Sequence, residues 1–210
     1  MSHTPARTRH FSMIRDFHLA DAFTLANGGG GTAAIFFCMD HVRAAGVGKL
    51  YAAGAAILCA LVCDVMDGRI ARWRHQASPM GRELDSLADV ISFGVAPACM
   101  AFAFGMTGLF DAALLLYFVC CGISRLARYN ITAEAMAAET GKVTYFEGTP
   151  ITSSVLLVMM MVLLAAGGRL GPEMPLGILH LGPWDLHPLA LVFGISGSLM
   201  ISKTIHIPKP

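Results

Sequence analysis

The 210-residue sequence contains little charge for its length. Only 14% of its residues are Asp, Glu, Lys or Arg, 55% are hydrophobic, and the mean hydropathy is +0.61. Soluble domains carry about 25% charged residues. The composition therefore predicts an integral membrane protein with one domain over residues 1–210. A net charge of +1 gives no indication of a nucleic-acid partner.

The sequence also lacks the cysteine patterns of disulfide or zinc proteins. Its six cysteines are scattered, mostly inside apolar runs, with no C-x2-C pair, so we expect small buried residues. The basic amino terminus is not followed by the apolar region and cleavage site of a signal peptide. Residues 11–19 mix apolar and charged positions at helical spacing. They predict a short helix on the membrane surface within a cytoplasmic or interfacial segment, 1–21, with a disordered tail as the alternative.

Six apolar segments approach the length of about 20 residues that crosses a bilayer. They predict an all-α integral membrane protein with six transmembrane helices, at 22–39, 50–72, 84–106, 112–130, 149–166 and 188–201. Four consecutive glycines, Gly28 to Gly31, lie in the first segment, where small residues permit close helix packing.

The distribution of basic residues predicts the orientation. With six spans and an internal amino terminus, 12 of the 15 Lys and Arg residues lie on the cytoplasmic side, which leaves three on the other side. Positive charge favours cytoplasmic loops. We therefore expect a multi-pass protein of the cytoplasmic membrane, with both termini and the polar site described below facing the cytoplasm.

Two pairs of aspartates lie at the ends of the second and third apolar segments. Asp64 and Asp67 are three residues apart, and Asp85 and Asp89 are four apart, so each pair shares one face of a helix. A short polar loop between the pairs allows a helical hairpin, which would bring four carboxylates to one end of the molecule. Such a cluster requires a cation, and oxygen ligands suit Mg²⁺, Mn²⁺ or Ca²⁺. The alternative is a solvated, charged interhelical loop.

Residues next to the aspartates indicate a phosphate substrate. Gly68 removes a side chain where a ligand could approach the helix backbone, and the planar fork of Arg72 matches a phosphate group. Carboxylates, a metal ion, open backbone and an arginine together predict chemistry on a diphosphate.

The pattern Asp64-x2-Asp67-Gly68-x2-Ala71-Arg72-x8-Gly81-x3-Asp85-x3-Asp89 resembles the signature of the CDP-alcohol phosphotransferases, a family of membrane enzymes. The resemblance implies transfer of a phosphatidyl or related group from a CDP-linked lipid to an alcohol, with release of CMP. It implies that the four aspartates bind two divalent ions, Mg²⁺ or Mn²⁺, and that Asp89 is also the catalytic base. It further implies a homodimer that lies in the membrane and contacts membrane lipids. The implied nucleotide and diphosphate contacts are Asn27, Gly68, Arg72, Gly81 and Ser86.

Further segments resemble the phosphatidylserine synthase branch, among them Leu84-Asp85-Ser86-Leu87-Ala88-Asp89 and Phe146-Glu147-Gly148-Thr149-Pro150. This branch implies CDP-diacylglycerol as the donor, L-serine as the acceptor and phosphatidylserine as the product. The candidate acceptor-binding residues are Arg125, Arg128, Ser92, Asn130 and Glu147.

The arginines support an amino-acid acceptor independently, because intramembrane arginines are costly and tend to be functional. Arg125 or Arg128 could hold the serine carboxylate, but both arginines would also suit an inositol phosphate or glycerol phosphate acceptor. Alternatively, one of the two arginines only pairs with Glu147 or extends to the membrane interface. A different CDP-lipid as the donor substrate is a further alternative. An intramembrane cation carrier is the alternative class, although carrier sites usually lie near the membrane midplane on broken helices.

Overall fold

The computed structural model of the protein describes residues 19–74, 79–140, 145–182, 184–202 and 206–208. The predicted interfacial helix lies outside these residues except for Leu19. Seven α-helices occur in the described part of the chain, in this order: α1 (Leu19–Ala44), α2 (Val47–Arg74), α3 (Pro79–Asp89), α4 (Ala96–Phe104), α5 (Leu109–Thr140), α6 (Ser154–Ala166) and α7 (Ala190–Ile201). The predominantly helical prediction is confirmed.

Four helical segments are long and apolar enough to cross a membrane: Ala20–Ala44, Val47–Ile70, Met80–Phe104 and Leu109–Thr132. They correspond to the first four predicted spans. The apolar helices Ile151–Ala166 and Ala190–Ile201 are shorter and correspond to the fifth and sixth predicted spans. Length and composition in the described structure therefore support a multi-pass membrane protein with four clear spans, and the count of six stays a prediction.

The third predicted span is not one continuous α-helix. Helix α3 ends at Asp89, a π-helical turn occupies Val90–Val95, and α4 begins at Ala96. The N–H of Ala96 donates to the carbonyl of Ile91, which is the five-residue step of a π-helix. Pro97 follows at the start of α4 and has no N–H to donate, so the regular α-helical ladder is interrupted here.

Helices α1 and α2 run antiparallel because only Ala45 and Gly46 separate them. The glycine run lets α1 approach its neighbours closely. A Cβ built on Gly30 would lie 3.1 Å from the Ala56 carbonyl oxygen, and one on Gly31 would lie 2.6 Å from the Ser92 Cα atom. The π-helix and α4 are the most enclosed part of the fold, with Phe93, Ala96 and Met100 fully buried.

Four three-residue strands depart from the all-α prediction. Strand β1 (Tyr145–Glu147) pairs with β4 (His206–Pro208), and β2 (Leu179–Leu181) pairs with β3 (Trp184–Leu186), both antiparallel. The β2–β3 hairpin lies in the loop 167–187. The β1–β4 pair joins the segment before α6 to the segment after α7.

A buried Asp–His pair fastens the end of the bundle that carries the β2–β3 hairpin. His187 donates its backbone N–H to Asp111 Oδ1 (2.8 Å), and its Nδ1 lies 2.6 Å from Asp111 Oδ2. Asp111 also accepts the N–H of Gly108 at the start of α5 (3.0 Å). Asp111 is fully buried and His187 is nearly so, so the pair attaches the loop before α7 to α5.

The six cysteines are free thiols. Cys38 and Cys121 are buried, as expected, but Cys59 and Cys120 are exposed on their helices. In a membrane-spanning helix, an outward-facing cysteine contacts lipid, so these two positions need no protein partner.

Candidate active site

Three carboxylates meet where the end of α2 faces the beginning of α3. One oxygen from each of Asp64, Asp67 and Asp85 lies within 4.8 Å of the others. The helical hairpin predicted from the sequence therefore brings residues of both pairs together. Asp85 Oδ1 is buried and has no hydrogen-bond partner in the described part of the chain.

The residues of this cluster fit a hard divalent cation. Oxygens that share one such ion bind it at about 2.0–2.6 Å, so they lie at most about 5 Å apart. The three carboxylate oxygens satisfy that limit. A buried carboxylate oxygen without a donor also has a large desolvation cost unless a cation or a ligand occupies the position beside it.

Asp89 lies outside this three-carboxylate group but close to it. It is the last residue of α3, is 8% exposed, and interacts electrostatically with Asp64 and Asp85. Asn27 on α1 donates from Nδ2 to Asp89 Oδ1 at 3.1 Å. The fourth aspartate is thus oriented by α1.

Thr24 on α1 is a site residue that the sequence reasoning missed. Its hydroxyl donates to Asp67 Oδ2 at 2.8 Å, and the bond is buried. Thr24 and Asn27 are three residues apart, so they lie on one face of α1 and contact one member of each aspartate pair. The signal in the sequence is two polar residues at helical spacing within an apolar segment.

Ser92 connects the π-helix to α1. Its hydroxyl donates to the backbone carbonyl of Asn27 at 2.8 Å, and the side chain is fully buried. Ser92 was a candidate for acceptor binding. In the structure its hydroxyl fixes the backbone of the residue that holds Asp89.

Ser86 and Asn130 are paired across α3 and α5. Asn130 Nδ2 donates to Ser86 Oγ at 3.0 Å, and Ser86 Oγ lies 3.4 Å from Asn130 Oδ1. The sequence predicted that Ser86 contacts the CDP-linked substrate and that Asn130 contacts the acceptor alcohol. The structure brings these two predicted site residues into contact with each other.

The two candidate arginines differ in their surroundings. Arg125 is 7% exposed, its Nε has no hydrogen-bond partner in the described part of the chain, and its guanidinium carbon lies 5.6 Å from the centre of the Tyr129 ring. It also interacts electrostatically with Asp89. Arg128 is partly exposed and donates from Nη2 to the carbonyl of Ile201 at 3.3 Å.

The remaining predicted contacts are placed only in part. A Cβ built on Gly68 would meet nothing within 4 Å, so the α2 backbone is open there. Gly81 is partly buried in α3. Arg72 lies on α2 and Glu147 on β1, but their side chains lie outside the described structure.

Comparison with known proteins shows which family has this group of aspartates in its domain. The family model described as CDP-alcohol phosphatidyltransferase matches residues 17–195. The chain belongs to the CDP-alcohol phosphatidyltransferase family. The matched region contains all four aspartates and both arginines, so the described cluster lies inside the family domain.

Several relatives of this CDP-alcohol phosphatidyltransferase have the name CDP-diacylglycerol–serine O-phosphatidyltransferase. The protein from Saccharomyces cerevisiae is 43% identical over 204 residues, which are 96% of this chain and 74% of the yeast protein. The Mycobacterium leprae protein is 35% identical over 131 residues, 61% of this chain and 41% of its own length. The Bacillus subtilis protein is 36% identical over 105 residues, 49% and 55% of the two chains.

Proposed function

We propose that this protein transfers the phosphatidyl group of CDP-diacylglycerol to the hydroxyl of L-serine, giving phosphatidylserine and CMP. The observation that carries the proposal is the group of three carboxylate oxygens within 4.8 Å of one another at the family signature. Serine as the acceptor is supported by the yeast relative, whose similarity extends over 96% of the chain.

The donor would bind at the aspartates. Asp64, Asp67, Asp85 and Asp89 would hold two divalent ions, Mg²⁺ or Mn²⁺, next to the diphosphate. When bound, such ions offset the negative charge on the phosphoryl oxygens. The proposed nucleotide and diphosphate contacts are Asn27, Gly68, Arg72, Gly81 and Ser86. Asn27 supports this role because its Oδ1 is buried without a partner in the described structure, while its Nδ2 is used on Asp89.

The reaction would be a single displacement without a covalent enzyme intermediate. The serine hydroxyl gives its proton to Asp89 and forms a bond to the phosphorus of the phosphatidyl group. The bond from that phosphorus to the bridging oxygen breaks, and CMP leaves with that oxygen. A carboxylate is a weak base, so its contribution depends on its position. The hydrogen bond from Asn27 supports this role, because it would hold the Asp89 carboxylate in one orientation.

Arg125 is the better candidate for the serine carboxylate. Its guanidinium is buried, interacts electrostatically with Asp89 and has an Nε without a partner in the described structure, whereas Arg128 donates to the end of α7. Ser92, Asn130 and Glu147 remain candidates for the ammonium group. The hydroxyl of Ser92 donates to Asn27, and Asn130 is paired with Ser86, which favours Glu147 among the three.

The proposal also covers the orientation of the protein in the membrane and its oligomeric state. Both termini and the aspartates would face the cytoplasm, with α6 and α7 completing six spans of the cytoplasmic membrane. The family resemblance further suggests a homodimer, which mass determination of the detergent complex would test.

An acceptor panel tests the function. The protein is purified in detergent and supplied with CDP-diacylglycerol, Mn²⁺ or Mg²⁺, and one of serine, inositol phosphate, glycerol phosphate or choline. We expect serine to support CMP release and EDTA to stop it. Turnover with a phosphorylated polyol but not with serine would refute the serine assignment and leave the family assignment intact. Absence of CMP release with every alcohol would favour the cation-carrier alternative.

A further inference from the structure

Three contacts join the carboxy-terminal end of the chain to the segment before α6 and to α5. Strand β4 pairs with β1, with Phe146 opposite Ile207 in the register. The N–H of Thr149 donates to the carbonyl of Leu199 at 3.3 Å. Arg128 reaches the carbonyl of Ile201 from α5. The end of α7 is therefore bound from two sides.

Gly148 lies at the centre of this junction and is buried. Its φ of +72° is a conformation that residues with a Cβ rarely adopt. A Cβ built there would lie 2.9 Å from the carbonyl carbon of Met200. Glycine thus permits both the turn and the close approach of the two backbones.

Ile151 connects the junction to the active site. It follows Gly148 by three residues and is 1% exposed. Its Cδ1 would lie 3.7 Å from a Cβ on Gly94 and 2.8 Å from one on Gly122. Gly94 belongs to the π-helix that follows Asp89, and Gly122 lies three residues before Arg125 on α5. A shift of the junction would therefore act on α5, which carries Arg125, and on the π-helix, which carries the acceptor candidate Ser92.

We propose that residues 199–202 and 206–208, here called the carboxy-terminal strap, position the acceptor side of the active site. This inference rests on the function proposed above. The strap contacts α5 and the segment that bears Glu147, whereas the three-carboxylate group is built by α2 and α3. The strap should consequently affect binding of the acceptor alcohol and leave binding of the CDP-lipid unchanged.

Truncation gives the first test. A chain that ends after Lys203 loses β4, and a chain that ends after Pro208 keeps it and is the matched control. We expect the shorter chain to show a serine KM raised about tenfold, because the groups that bind the acceptor would be displaced from their positions. The KM for CDP-diacylglycerol and the behaviour of the control should match those of the full chain.

A glycine substitution gives a second test that does not remove any residue. Gly148→Ala should raise the serine KM in the same way, because the added methyl group presses against Met200. Gly168→Ala is the control for backbone strain: its φ is +71°, but a Cβ there would meet nothing within 4 Å. We expect Gly168→Ala to leave both KM values unchanged. If the truncated chain does not fold, the serine KM of Gly148→Ala tests the role of the strap.

Two results would overturn the inference. One is an unchanged serine KM in Gly148→Ala; the other is an equal rise of both KM values in the variants. The full chain is assayed with serine beforehand. If another alcohol is the acceptor, the serine proposal fails, and the strap is judged by the KM for that alcohol, so the two failures are distinguishable.

Discussion

At the scale of single residues, three buried polar atoms have no partner in the described structure although they line the candidate site: Asn27 Oδ1, Asp85 Oδ1 and Arg125 Nε. A buried polar atom without a hydrogen bond costs about 1–3 kcal/mol. Each atom would face a different ligand in the proposed reaction: Asn27 Oδ1 the nucleotide, Asp85 Oδ1 the metal ions, and Arg125 Nε the acceptor. Bound substrates and ions would satisfy all three.

Asp85→Asn should reduce CMP release by more than about 100-fold, since even residues that only support metal ligands contribute about 10- to 100-fold. The amide keeps the size of the side chain but removes its charge. Asp67→Asn should behave likewise. Glu83→Gln is the control, because it removes an exposed carboxylate from the same helix. CMP release is measured against Mn²⁺ concentration, with thermal unfolding as a check of the fold. Near-normal activity of either aspartate variant would contradict the metal site.

Arg125→Lys should raise the serine KM about 10- to 100-fold, because a hydrogen bond to a charged group contributes about 1.5–3 kcal/mol. Lysine keeps the charge but loses the two-pronged geometry. The KM for CDP-diacylglycerol should not change. Arg128→Lys should have a smaller effect, since Arg128 donates to Ile201. An equal rise of both KM values in Arg125→Lys would assign that arginine to the diphosphate instead.

At the scale of elements, the π-helical break in the third span helps to position the candidate site. The π-helix follows Asp89 directly, and its Ser92 donates to the backbone of Asn27, the residue that orients Asp89. Single π-helical turns are frequent at functional sites. The close approach of α1 at Gly31 is what allows this contact.

Gly31→Ala tests this packing. The added Cβ would lie 2.6 Å from Ser92 Cα, so the π-helix or α1 must move. Overpacking of this kind costs about 1–3 kcal/mol, and the thermal midpoint in detergent and kcat should both fall. Gly29→Ala lies in the same glycine run but meets nothing within 4 Å, so it should be neutral. Equal behaviour of the two variants would contradict a specific role of Gly31.

At the scale of the whole molecule, polar residues are divided between the two ends of the helices. Asp67, Asp89 and their partners on α1 occupy one end, and the buried pair of Asp111 and His187 occupies the other. With the six predicted spans, we expect 12 of the 15 Lys and Arg residues on the aspartate side of the membrane.

A reporter fused after Pro210 should therefore be cytoplasmic, because positive charge is retained on that side of the membrane. A reporter inserted in the loop 167–187 should be on the opposite side. Activity of each fusion shows that the fold is intact. The reverse pattern would place the aspartates outside the cytoplasm and contradict the proposed access of serine from it.

The sequence by itself determined the predominantly helical membrane fold, the first four spans and the meeting of Asp64, Asp67 and Asp85. These features depend on short-range regularities: apolar length, and polar residues three or four apart on helices joined by a short loop. The homodimer, the six-span count and the single-domain organisation over residues 1–210 stay predictions.

The tertiary structure alone decided which side chains pair across helices. Thr24 contacts Asp67 and Asn27 contacts Asp89, over separations of 43 and 62 residues. No local spacing encodes such distances along the chain. The role of Gly31 and the β1–β4 pair likewise depend on close approach between segments distant in sequence. Helical period fixes which residues share a face, but only packing determines which faces meet.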